Sequence, residues 1–156
     1  MSGTCTVILQ NNSGRTLDSV VLWYTGSIVP PAEAIKALPR VIAAKDVANG
    51  QSLTGTAQLM TDFEDYWVGG VLFQGDGEKY VLCDLLGSPG KEYEVSDGST
   101  ITFGIDPYVG GQANPSSVTI TYSGDDGGSA HLLNSTTVKI IEVGEFVADI
   151  LSELAE

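Results

Sequence analysis

The chain has 156 residues, with 20 Asp and Glu against 7 Lys and Arg, 19 glycines and a formal net charge of -13. So acidic a chain repels phosphate backbones and anionic lipid, which argues against nucleic acid as a partner and against polybasic docking on membranes. Hydrophobic residues make up 42%, enough to bury a core, so the chain is not read as disordered.

Taken in chain order, residues 4–10 are rich in β-formers and end at the turn Asn11-Asn12-Ser13-Gly14. Residues 18–25 follow as a strand that carries Trp23 and Tyr24. Pro30 and Pro31 interrupt the pattern, and residues 32–38 suit one or two helical turns that Pro39 ends. Residues 52–60 read as a strand after the Asn49-Gly50 turn. Residues 65–73 and 78–84 flank Gln74-Gly75-Asp76-Gly77, the clearest hairpin signal in the chain. Residues 91–95 and 99–105 flank Ser96-Asp97-Gly98, a second one. A loop rich in Gly, Pro and Asn spans 106–116, and residues 117–123 alternate with period two. Residues 123–129 read as a polar loop, and 130–141 as a last strand centred on 136–141.

Many short strands between turn signals predict an all-β fold, an antiparallel β-sandwich over residues 1–141. Residues 142–156 differ. Val143, Phe146, Val147, Ile150, Leu151 and Leu154 recur every three or four positions, and so do Glu142, Glu145, Asp149, Glu153 and Glu156. This spacing predicts an amphipathic helix with an acidic wet face. A helix so short is marginal alone, so its apolar face must cover the sandwich or dock on a second copy or a partner. No apolar run approaches the roughly 18 residues of a membrane span. No basic, apolar leader opens the chain, so the expected location is cytoplasmic or released without a signal peptide.

Catalytic constellations are missing from the sequence. His131 is the single histidine, and neither a nucleophile elbow nor a phosphate-binding glycine motif occurs. The expectation is a non-enzymatic protein without a cofactor or resident metal. Asp62, Glu64 and Asp65, like Asp125 and Asp126, are read as solvated loop acids, with loop-bound calcium as the alternative. Cys5 and Cys83 are too few for a disulfide scaffold and are read as two buried thiols, with one disulfide as the alternative. The sequons at Asn11 and Asn134 are read as accidental.

The aromatic residues carry the binding expectation. Neighbours in a strand point to opposite faces, so Trp23-Tyr24 and Tyr66-Trp67 can each place one ring in the core and one outside. Tyr66, Trp67 and Tyr108, with Trp23 behind them, are the candidate ligand contacts. Rings with a polar tip suit lipid headgroups, carbohydrate or a protein interface, and a choline group would be held by cation–π attraction despite acidic surroundings.

The run Asn11-Asn12-Ser13-Gly14-Arg15-Thr16-Leu17, with Val47-Ala48-Asn49-Gly50 and Asp65-Tyr66-Trp67 after it, resembles aegerolysin-like β-sandwich proteins and the domains related to proteins up-regulated in daf-2 mutants. The actinoporin-like cytolysins are a more distant likeness. The resemblance spans roughly residues 4–123. It implies a small acidic β-sandwich that recognises membrane lipids, acts peripherally at membranes and works beside a second, pore-forming protein; the net acidity points such recognition to a neutral or zwitterionic lipid headgroup. Actinoporins insert an N-terminal helix, whereas this chain opens on a strand. Autonomous pore formation is therefore not expected. The alternatives are an interaction protein that forms a homo-oligomer through its C-terminal helix, and a carbohydrate-binding module.

Overall fold

Two strands that are apolar on both faces set the layering of the molecule. The computed structural model describes residues 3–26, 31–60, 64–75, 77–107, 116–123 and 125–156, without the side chains of 125 and 126. Its strands are β1 (Gly3–Asn11), β2 (Leu17–Thr25), β3 (Arg40–Val47), β4 (Ser52–Leu59), β5 (Tyr66–Phe73), β6 (Lys79–Cys83), β7 (Lys91–Glu92), β8 (Thr100–Ile105), β9 (Ser116–Tyr122) and β10 (Asp125–Asn134). The helices are α1 (Ala32–Lys36) and α2 (Ile141–Ala155). The strands hydrogen-bond in the order β3-β2-β5-β6-β10-β9-β8-β1-β4, with β7 added to β5. The sheet curls until its terminal strands β3 and β4 lie beside each other.

The inner face of the curled sheet holds the main core, which includes Val7, Leu22, Trp67, Phe103, Ile120 and Leu132. The opposite face of β2, β5 and β6 presents Val21, Trp23, Val68, Leu72 and Val81. That second apolar layer cannot face water, and α2 covers it with Val143, Val147, Ile150 and Leu151. Phe146 and Leu154 pack against the same layer and are half-buried. The face expected to need a cover therefore finds it within the chain, and a partner could reach it only if α2 came off the sheet. α1 adds Ile35, which is fully buried in this outer layer.

Local devices make the seat for α2. The β2–β5 register shifts between Leu17 and Ser19, a bulge that turns both Leu17 and Val20 inward. Ser19 then lies under α2 and donates its hydroxyl to the Leu151 carbonyl at 2.7 Å. Gly70 leaves room at the centre of the seat. A Cβ there would stand 2.8 Å from Val147 Cγ1 and 3.2 Å from Leu151 Cδ1.

Several expectations are corrected. The sheet is not wholly antiparallel, because β1 pairs with β8 in parallel from Thr6↔Thr100 to Asn11↔Ile105. Parallel neighbours need a long connection, and the whole chain between them supplies it. Residues 40–47 form a strand, β3, that pairs with β2 along its length. The polar stretch 123–129 belongs mostly to β10, which pairs with β9 on one side and β6 on the other. The β9 ladder, which alone pairs Asp125 to Ser129, overrides their poor strand propensity. Residues 136–140, expected at the centre of the last strand, are turns: the Asn134 carboxamide accepts from the Thr136 N–H at 3.0 Å and from its hydroxyl at 2.7 Å. The second hairpin is also absent among the described residues, since β7 pairs with β5 and β8 with β9 and β1.

Candidate functional site

The four candidate aromatics end in four different places. Trp23 lies in the outer layer, 1% exposed, with its ring 5.5 Å from that of Phe146 on α2. Trp67 is fully buried on the inner face, with ring centroids 5.1 Å from Tyr24 and 5.3 Å from Phe103. Its indole N–H donates to the Tyr93 carbonyl at 3.0 Å. A surface role for Trp67 is therefore corrected: it shares the inner phase of β5 with Val71 and Phe73. Tyr66, on the other phase, is half-buried at the start of β5. Tyr108 lies outside the described residues.

Asp65, expected in solution, is buried and works as a junction. Its carboxylate accepts from the Tyr24 hydroxyl and, at 3.0 Å, from the Val95 N–H. The Met60 N–H donates to the Tyr24 hydroxyl oxygen at 3.1 Å, and the Tyr93 N–H to the Asp65 carbonyl at 3.0 Å. Burial, then the hydrogen bond to Asp65, pushes the Tyr24 hydroxyl up to about 12. Among the described residues no group of three His, Cys, Asp or Glu converges as a metal site. Asp62 and the side chains of Asp125 and Asp126 lie outside them.

Both cysteines are free and buried, Cys5 in the inner core and Cys83 in the outer layer. Burial, then the charge of Asp65, raises Cys5 from 9.0 to about 11; burial, then Asp84, raises Cys83 to about 12. Their neutral forms are what the fold stabilises, so the contribution is complete below pH 9 and is lost as pH climbs from 9 towards 11 and 12. Tyr24 repeats the trend from 10 to about 12. Urea midpoints are expected to hold up to pH 9 and then fall steadily. At pH 8 neither thiol should react with a disulfide reagent until denaturant is added. A thiol that reacts at once in the native protein would contradict this burial.

The turn that carries the family resemblance has a folding task. Asn11, fully buried, donates from its carboxamide to the Arg15 and Val47 carbonyls at 2.7 and 3.1 Å. Its oxygen accepts from the Ser13 N–H at 3.1 Å and from the Ser13 hydroxyl at 2.6 Å. The Asn49 carboxamide oxygen accepts from the Gly14 N–H at 2.9 Å. These bonds tie the β1–β2 turn to the end of β3, and they leave the Asn11 sequon without an accessible carboxamide.

The surface of interest is built around the 84–90 turn. The Asp84 carboxylate accepts from the Leu86 and Ser88 N–H groups at 2.8 and 3.0 Å, and the Asp84 N–H donates to the Ser88 carbonyl at 2.9 Å. This hydrogen-bonded turn holds Leu85 57% and Leu86 76% exposed. The Lys139 N–H donates to the Gly87 carbonyl at 3.4 Å, and the next two residues along the chain, Ile140 and Ile141, are exposed as well. Asp84 also lines an open depression of about 360 Å³ with Tyr66, Lys91, Glu92, Tyr93 and Glu94. Register sets Tyr66 opposite Glu92. Burial, then the charges of Glu92 and Glu64, raises the Tyr66 hydroxyl above its usual range. Sequence reasoning missed these exposed aliphatic pairs: 85–86 and 140–141 are far apart in the chain, and only the fold ties their segments together through the Gly87–Lys139 bond. No family model matches the chain, and no match is found among curated proteins.

Proposed function

We propose that the chain is a non-enzymatic β module that docks on neutral or zwitterionic membrane surfaces. The observation that carries this is the exposed pair Leu85 and Leu86, held out on the hydrogen-bonded 84–90 turn beside the Tyr66 depression, with exposed Ile140 and Ile141 following the Lys139–Gly87 bond. Interfacial binding grows with the apolar area inserted. A net charge of -13 turns such binding away from anionic lipid. The depression offers a ring and the carboxylates of Asp84, Glu92 and Glu94 to the cationic end of a zwitterionic headgroup. A toxin-like pairing with a pore-forming protein rests on the family resemblance alone.

Sedimentation with vesicles tests the proposal. The folded protein should pellet with phosphatidylcholine or sphingomyelin–sterol vesicles and stay in solution with phosphatidylserine. Substituting both Leu85→Asp and Leu86→Asp should weaken binding tenfold or more, as each leucine contributes roughly 1.5–3 kcal/mol when fully buried. Far-UV circular dichroism should be unchanged. Absence of binding to every composition would sink the lipid reading.

A further inference from the structure

β3 and β4 end the sheet and meet without a backbone ladder among the described residues. The β2–β3 register passes from Leu22↔Ile42 to Trp23↔Arg40 and leaves Val41 as a bulge. The carbonyl of Val41 abuts Gly55 of β4, where any Cβ would collide with it. The two edges therefore touch near one point, and gaps flank the contact. One of these gaps is a cavity of about 260 Å³.

Its walls are mainly apolar: Tyr24, Leu38, Val41 and Met60 contribute, while Arg40 and Gln58 supply polar groups. The Tyr24 hydroxyl is engaged with Asp65 and the Met60 N–H, so Tyr24 has only its ring to offer. Among the described residues no carboxylate lines the cavity and none pairs with Arg40. In a chain with 7 basic and 20 acidic residues, that absence stands out. An apolar pocket with a few polar groups is the usual form of a small-molecule site. A guanidinium matches a carboxylate with two parallel hydrogen bonds.

We propose that this cavity binds a small amphipathic monocarboxylate. The apolar body lies against Leu38, Val41, Met60 and the Tyr24 ring, and the carboxylate meets Arg40. The volume is below the roughly 300–1,000 Å³ of drug-sized sites, which suits a short alkyl chain or a single ring. The site is separate from the exposed aliphatic pairs and does not depend on the membrane reading.

The test is titration of the full chain with sodium octanoate, followed by amide chemical shifts, with 1-octanol as the uncharged comparison. Saturable shifts are expected at Val41, Thr56 and Met60, with octanol at least tenfold weaker. Arg40→Gln should remove most of that preference and leave octanol binding unchanged, and Arg40→Lys should restore part of it. Thr56→Phe should block both ligands. Arg40 and Thr56 are exposed, so the variants should keep the parent's dispersed spectrum and its vesicle sedimentation. The proposal is overturned by an absence of saturable shifts, by shifts centred on Leu85 and Leu86, or by an octanoate-to-octanol ratio that Arg40→Gln leaves unaltered.

Discussion

Gly70→Val should destabilise the chain by about 3 kcal/mol, the upper end for overpacking a filled core. A first side-chain carbon at this position already stands 2.8 Å from Val147 Cγ1 and 2.5 Å from the Tyr80 carbonyl oxygen. Valine adds two methyl groups to that conflict. Either α2 rises off β2 and β5, or the β5–β6 ladder opens at Gly70↔Val81. In both cases the outer layer of Val21, Trp23, Val68 and Val81 loses its cover. Urea unfolding measures the loss, and near-UV circular dichroism should report a disturbed Trp23, which packs on Phe146 of α2. A variant within about 0.5 kcal/mol of the parent, the range of an ordinary surface change, would show that α2 is not seated there.

Trp67→Ala should cost about 3–5 kcal/mol, a large part of the roughly 5–15 kcal/mol that holds a typical domain together. The indole fills the space between Tyr24 and Phe103 and satisfies the Tyr93 carbonyl. Removing it leaves a void and a carbonyl without its donor. Tyr66→Ala, one residue away, should cost less than about 1 kcal/mol and should act instead on vesicle binding. Thermal melts of the two variants separate the roles. If Trp67→Ala melted within about 3 °C of the parent, a shift worth only about 1 kcal/mol, the buried position of the indole would be refuted.

The neighbouring residues Tyr66 and Trp67 also show where sequence reasoning stops. Period two tells that they face opposite ways. It does not tell which way is inward, because that depends on the partners of β5 and on the curl of the sheet. Trp23 and Tyr24 are a harder case: both are buried, 1% and 6% exposed, because α2 covers the second face. The hairpin from residue 66 to 83 was legible because its turn chemistry is local. β10 was not, because its aspartates and Gly128 pair only when β9 presents its edge, while β6 pairs the later part from His131. The β1–β8 pair was hidden for the same reason, since its strands lie about ninety positions apart in the chain. The cavity beside Arg40 needs a bulge at Val41 and a glycine at 55 to face each other, and no local pattern announces that.

By itself the sequence determined a mostly β chain, an amphipathic helix over residues 142–156, which the structure places at 141–155, and five acids spread along that last stretch. All three follow from local periodicity and charge, which act over a few residues. Only the tertiary structure decided that the helix covers its own sheet, that Trp67 is core while Tyr66 meets solvent, that a backbone bond ties the segments of two exposed aliphatic pairs together, and that Arg40 stands beside a cavity without a carboxylate among the described residues. These depend on which strands close on which. That choice is made by burying the most apolar surface over the whole chain at once, and a window of sequence does not contain it.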